Sequence, residues 1–178
     1  KGRYLLNGSF RRDGSSAFSY TGNQWQSCYY VGAGWLISEE EFMKDITWLD
    51  MLKLKGSWGT LGNQNLDKAY PAEPLLSNAY SAVFGTPSAI YPGYQLSYLP
   101  NATLRWEKVE AWEVGAEANF FRNRLHLEGV YYKKTTKDLL AEVPGISGTV
   151  PGIGNLGSIE NKGIELAINW RDQIGDWN

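Results

Sequence analysis

Cysteine is almost absent from this 178-residue sequence: Cys28 stands alone, so neither a disulfide framework nor a cysteine-based metal site can be built. Histidine occurs once, at His126, which argues against a His-rich metal centre and a Ser-His-Asp triad of the usual kind. Neither sign of charge is in excess, with 17 Lys and Arg against 19 Asp and Glu, so the composition carries no footprint for nucleic acid or an anionic membrane surface. Long hydrophobic runs are missing too. The longest nearly uncharged apolar stretch, "YYVGAGWLI" at 29–37, is broken by glycine and too short to cross a bilayer as a helix. No charged n-region followed by an apolar h-region is found. A membrane-crossing β-strand, however, needs only about 9–11 residues, half of them polar, and hydropathy averages do not register it.

What the sequence has in quantity is aromatic side chains, with eight Trp and eleven Tyr, and alternation. Period-two patterning predicts six strands, at 4–11, 28–37, 51–60, 107–120, 124–134 and 161–170. In the first, Tyr4, Leu6, Gly8 and Phe10 share a face opposite Leu5, Asn7, Ser9 and Arg11. In the last, Ile164, Leu166, Ile168 and Trp170 oppose Gly163, Glu165, Ala167 and Asn169. Segments of about ten residues are long for a soluble sheet, where about five or six is typical, and suit a tilted bilayer crossing. Rings sit near the ends of the apolar stripes: Tyr4, Trp35, Trp58, Trp112 and Trp170 are the expected lipid-facing girdle, because an amphipathic ring prefers the headgroup level. Arg11, Glu113, Glu117 and Glu165 have the opposite parity and are expected to face a lumen, where the acidic ones could line a cation path or bond neighbouring Lys and Arg.

The connections alternate between long and short. The long ones are the polar loop 12–27, the segment of about 61–106 rich in Gly, Pro, Asn and Tyr, and the Gly/Pro-rich 138–160. The shorter ones are "SEEEFMKDITWLD" (38–50), which predicts a short helix capped by Ser38 with Glu41 three residues on, and the tight "FRNR" turn at 121–124. Such asymmetry matches extracellular loops against periplasmic turns. Within the longest loop, Tyr80, Phe84, Tyr91 and Tyr94 are candidate substrate contacts, since ring faces stack on sugars; the alternative is that the rings pack the loop on itself or against a partner. "GIGNLG" at 152–157 fits a dinucleotide fingerprint literally, but Pro151 precedes it and a strand follows, which makes it a loop. Glu39–Glu41 read as an acidic first helical turn rather than a catalytic carboxylate pair.

Five blocks, in this order, resemble the C-terminal barrel of SusC/RagA-type TonB-dependent outer-membrane transporters: Arg11-Arg12-Asp13-Gly14-Ser15-Ser16; Gly34-Trp35 with Ile37-Ser38-Glu39-Glu40; Thr60 with Gly62-Asn63-Gln64; Leu104 with Trp106-Glu107; and Glu160-Asn161-Lys162-Gly163. The chain departs from the usual pattern at Ala17-Phe18-Ser19, where Arg-Phe-Gly is customary, and at Cys28-Tyr29-Tyr30, where Phe-Pro-Ser is. The resemblance implies an all-β fold, an antiparallel transmembrane β-barrel segment with long extracellular loops, about six strands of a roughly 22-stranded plugged barrel. It further implies that residues 1–178 are part of one barrel domain whose plug domain and TonB box lie outside this chain, and that six strands with open edges do not fold stably alone. The implied function is active nutrient import across the outer membrane, without catalysis or cofactors. Oligosaccharide is the first substrate class and oligopeptide the second. The implied partners are a SusD-like surface lipoprotein, the TonB–ExbB–ExbD complex, the rest of the barrel and outer-membrane lipid. The competing readings are a soluble, aromatic-rich carbohydrate-binding β-sandwich and a passive porin.

Overall fold

A computed structural model describes residues 2–64, 66, 69–145 and 150–172, without the side chains of residues 79 and 80. Its strands are β1 (Tyr4–Gly14), β2 (Trp25–Leu36), β3 (Leu49–Asn63), β4 (Leu76–Phe84), β5 (Ala89–Leu96), β6 (Glu107–Phe120), β7 (Leu125–Lys137), β8 (Leu140–Val143), β9 (Gly152–Asn155) and β10 (Ser158–Trp170). Six of them form one antiparallel sheet in the order β1-β2-β3-β6-β7-β10. The other four form two-stranded ladders, β4-β5 and β8-β9, inside the long connections.

The register carries the alternation across the whole sheet. One row joins Leu6, Ala33, Gly56, Val114, Tyr131 and Ile164, none of them polar apart from one phenol. The row one residue away joins Asn7, Gly32, Ser57, Glu113, Tyr132 and Gly163. A shift of one residue moves a side chain to the other side of the pleat, so these rows define an apolar face and a polar face. The apolar face is bare: Leu6 is 81% exposed, Leu166 77% and Ile168 73%. The β-sandwich alternative would need a second sheet over this face, and the described residues place none there.

The apolar band also runs obliquely to the rows. Its long-loop edge passes through Phe10 and Tyr29, then Trp58 and Trp112 two residues lower, then Tyr131 and Ile164 two lower again. A drop of four residues is about 13 Å, and five strand spacings are about 24 Å, so the strands lean by about 30° relative to the band. Membrane barrels tilt their strands by about 35–45°.

Three expectations need correction. Residues 38–50 hold no capped helix but two short 3-10 turns, Ile37–Glu39 and Glu41–Met43, and Ser38 caps neither. The cause is Glu40, whose backbone is extended (φ −79°, ψ 151°) while its carboxylate is engaged elsewhere. The 61–106 connection is not a plain loop, because it contains the β4-β5 hairpin; Pro92, which cannot donate to a ladder, is tolerated in this two-stranded ribbon. β1 continues through Arg11–Gly14, paired with Trp25–Cys28, so the basic cluster is strand and the loop begins after it. The "FRNR" turn is as short as expected. It places Phe121, Arg122 and Asn123 at φ 56°, 59° and 61°, a left-handed run closed by the Asn123 amide donating to Asp50 at 2.8 Å.

Candidate functional site

The enclosed apolar core lies beyond the long-loop end of the sheet. Phe18 and Leu104 are fully buried there with Trp106 and Ile153, and Ala17, Leu66 and Leu140 pack against them. The cluster draws on all three long connections, and three of the resemblance blocks have a part in it, through Ser15, through Gly62 and Asn63, and through Leu104, Trp106 and Glu107. Ser15 accepts a hydrogen bond from the Ala17 amide and starts the 3-10 turn that presents Phe18, whose ring sits 5.3 Å from that of Trp106. The Trp106 indole donates to the Asn23 carbonyl at 3.0 Å, and the Asn23 amide returns a bond to the Leu104 carbonyl. Buried Glu107 accepts from the Asn63 side chain and from the Leu140 amide. Asn155 accepts from the Arg105 amide and donates to the carbonyls of Arg105 and Asp138. At Gly62 a Cβ would meet Gln26 Cγ at 2.6 Å and the Trp106 ring at 3.1 Å, so any larger residue would have to displace the Gln26 side chain and push on the indole. These motifs latch loops to one another.

The polar face carries the charge. Lys55 Nζ lies 2.6 Å from Glu117 and also meets Glu128, while Lys53 lies 3.4 Å from Glu117. Glu117 is thus neutralised by two lysines. Glu113 and Glu165 share its face but make no ion pair among the described residues. Arg11 turns back on Asp13 at 2.9 Å, and with Ser9, Tyr30, Ser57 and Glu113 it lines a depression of about 340 Å³. Of the four polar-face candidates, Arg11 and Glu113 come together here, whereas Glu117 and Glu165 lie elsewhere on the face.

Phe84 and Tyr91 meet on the β4-β5 hairpin with ring centroids 6.2 Å apart, and both are exposed, as is Tyr94. Tyr80 pairs with Gly93 through its backbone, and its side chain lies outside the described residues. Tyr98, by contrast, is buried and donates to the Tyr70 carbonyl at 2.6 Å, packing the loop on itself.

The girdle candidates share the apolar face, with Tyr4 beside Trp35 (rings 6.3 Å apart) and Trp58 beside Trp112. Sequence reasoning missed what holds the first pair. Glu40, in the β2-β3 turn, accepts from the Tyr4 hydroxyl and the Trp35 indole, each at 3.0 Å, and pairs with Arg3 at 2.9 Å. The indole bond first, then the phenol bond, with the Arg3 charge adding, hold this carboxyl below the ordinary glutamate range. The run Glu39-Glu40-Glu41 offered no signal that its middle member points back to the strands.

The family described as TonB dependent receptor-like, beta-barrel, matches residues 1–178. TonB-dependent receptor P26 of Formosa agariphila is 37% identical over 171 residues, covering 95% of this chain and 17% of that protein. TonB-dependent receptor SusC of Bacteroides thetaiotaomicron is 37% identical over 175 residues, 94% of this chain and 17% of its own. The solved structure of the RagAB peptide importer in the closed-closed state aligns over 99% of this chain and 19% of its own, with a TM-score of 0.83 and 30% identity. The chain therefore spans less than a fifth of these relatives. A bare apolar band around tilted antiparallel strands, with long loops at one end, is what that kinship requires: the chain belongs to the β-barrel of SusC/RagA-type TonB-dependent receptors of the outer membrane.

Proposed function

We propose that this chain forms part of the wall of an active transporter that imports nutrients across the outer membrane, with its apolar face against lipid and its polar face lining the lumen. The observation that carries this reading is the six-strand row pattern, in which Leu6 to Ile164 are apolar and Asn7 to Gly163 are polar or small, with the apolar side uncovered. Residues 1–178 are then part of one barrel domain, which further strands close around a plug. TonB–ExbB–ExbD energises transport through the plug side, and a SusD-like lipoprotein covers the latched loops. Oligosaccharide is the cargo class we assign, supported by the exposed Phe84, Tyr91 and Tyr94 rings on the hairpin. Oligopeptide is the second reading, supported by the likeness to the RagAB peptide importer.

Two experiments test this. Cysteine at positions 114 and 166, both on the bare apolar face, should resist a membrane-impermeant thiol reagent in intact cells; rapid labelling of both sinks the membrane reading. Deleting the full-length gene should abolish uptake of one oligosaccharide or peptide class. Unchanged uptake of all of them counts against import, and loss of peptide uptake alone selects the second cargo.

A further inference from the structure

Beyond its aromatic edge the apolar face changes chemistry. The next outward positions on β6 are Glu110 and Lys108, on β7 Lys133, Thr135 and Lys137, and on β10 Lys162 and Glu160. Register sets Lys133 beside Lys162, and Lys108 beside Lys137. Four ammonium groups thus gather around two carboxylates on three adjacent strands. Lys133 lies 2.9 Å from Glu160 and Lys162 lies 3.7 Å from the same carboxylate. Lys137 lies 3.4 Å from Glu110, which also accepts from the Trp58 indole at 3.2 Å. Lys108 makes no ion pair among the described residues. Lys162 and Lys137 are 64% and 54% exposed, and each ammonium has three donors, so the two shared carboxylates leave most of them free.

Parity points these lysines away from the polar face, on the side of the aliphatic band. Within hydrocarbon such cations are costly. Immediately outside a ring of Trp and Tyr they lie at headgroup level, where the flexible lysine stem lets the charge rise to the interface. The near-neutral composition conceals a surplus of positive charge concentrated here. Basic clusters at this level bind anionic headgroups. Because the cluster is at the long-loop end, the leaflet it meets is the outer one. Its lysines are spread over about 10 Å, from β6 to β10, a span that suits a headgroup bearing more than one phosphate.

We propose that this outward collar, centred on Lys133 and Lys162, binds the phosphates of a bisphosphorylated glycolipid of the lipid A class in the outer leaflet. This goes beyond import and rests on the reading that the apolar face meets lipid with the long loops outside. The test uses the purified full-length transporter in a neutral detergent, titrated with lipid A, with lipid A freed of its phosphates, and with phosphatidylglycerol, and followed by native mass spectrometry. Lipid A should bind; removing its phosphates, or substituting Lys133→Gln with Lys162→Gln, should weaken binding about 30-fold, about 5-fold per lysine. Lys133→Arg with Lys162→Arg should stay within about threefold, since the charge and donors are kept. Equal binding of dephosphorylated lipid, equal binding of phosphatidylglycerol, or no loss in the glutamine variant overturns the proposal. Heat-dependent gel migration reports whether the variant barrel assembled, and the wild-type lipid series decides the matter if it did not. Labelling of positions 114 and 166 would mean that the membrane reading itself fails; a flat lipid series with those positions protected removes only the collar.

Discussion

Replacing Phe18 with alanine should unlatch the extracellular loops while leaving the sheet intact. Phe18 is fully buried, stacks obliquely on Trp106 and touches a cluster contributed by three separate connections. Phe-to-Ala changes in well-packed cores cost about 3–5 kcal/mol. This cluster has few fully buried members and sits at the end of the sheet, so it can partly collapse, and about 3 kcal/mol is the working figure. Because none of that energy resides in the β1-β2-β3-β6-β7-β10 ladder, it appears as local opening. An added 3 kcal/mol raises the opened population about 150-fold. The assay is limited proteolysis of whole cells with an external protease, at low enough protease for cleavage to track the opening equilibrium. Cleavage within 15–24, 100–106 or 138–157 should accelerate by about two orders of magnitude. Phe18→Leu, which keeps most of the volume, should accelerate it by about tenfold or less. A change below about threefold for Phe18→Ala would refute the latch, because a fully buried ring whose loss costs under 1 kcal/mol is not holding anything. Loss of the assembled barrel itself would refute the claim that the latch is local.

Three other outcomes follow from named contacts. Glu40→Gln should lower the unfolding midpoint of the full-length protein at neutral pH; since the Glu40 pKa is held below its ordinary 4.5, this advantage is present above that value and fades as pH falls through the folded-state pKa, so the wild-type and variant midpoints should converge in acid. Lys55→Met should destabilise the barrel by about 1–2 kcal/mol in denaturant titration, because it strands the Glu128 carboxylate and weakens the hold on Glu117, and adding Glu117→Gln should give back part of the loss in a double-mutant cycle. Arg122→Gly should stabilise by about 0.5–1 kcal/mol in the same titration, since its φ of 59° strains any residue with a Cβ and its neighbours Phe121 and Asn123 remain left-handed.

The face assignment was legible in the sequence because it depends on a local rule. A strand turns by half a revolution per residue, so parity alone tells which side Tyr4, Trp35, Val114 or Leu166 occupies. The register then had little freedom, since slipping one residue would place Glu113 or Lys55 in the apolar band. The β4-β5 hairpin escaped because its alternation is diluted by Ser, Asn, Ala and Pro92. The helix predicted at 38–50 failed because its apparent capping pattern competed with a better use of Glu40 across the sheet edge.

Sequence by itself therefore determined the strand count of the main sheet, the two faces, the asymmetry of the loops and the family. Only the tertiary structure decided what the family motifs do. Phe18 and Trp106 are 88 positions apart and Leu104 and Asn23 are 81, and contacts between such distant loops leave no period to read. The same holds for the lysine collar, whose members are unremarkable along each strand and become a cluster only when register sets Lys133 beside Lys162.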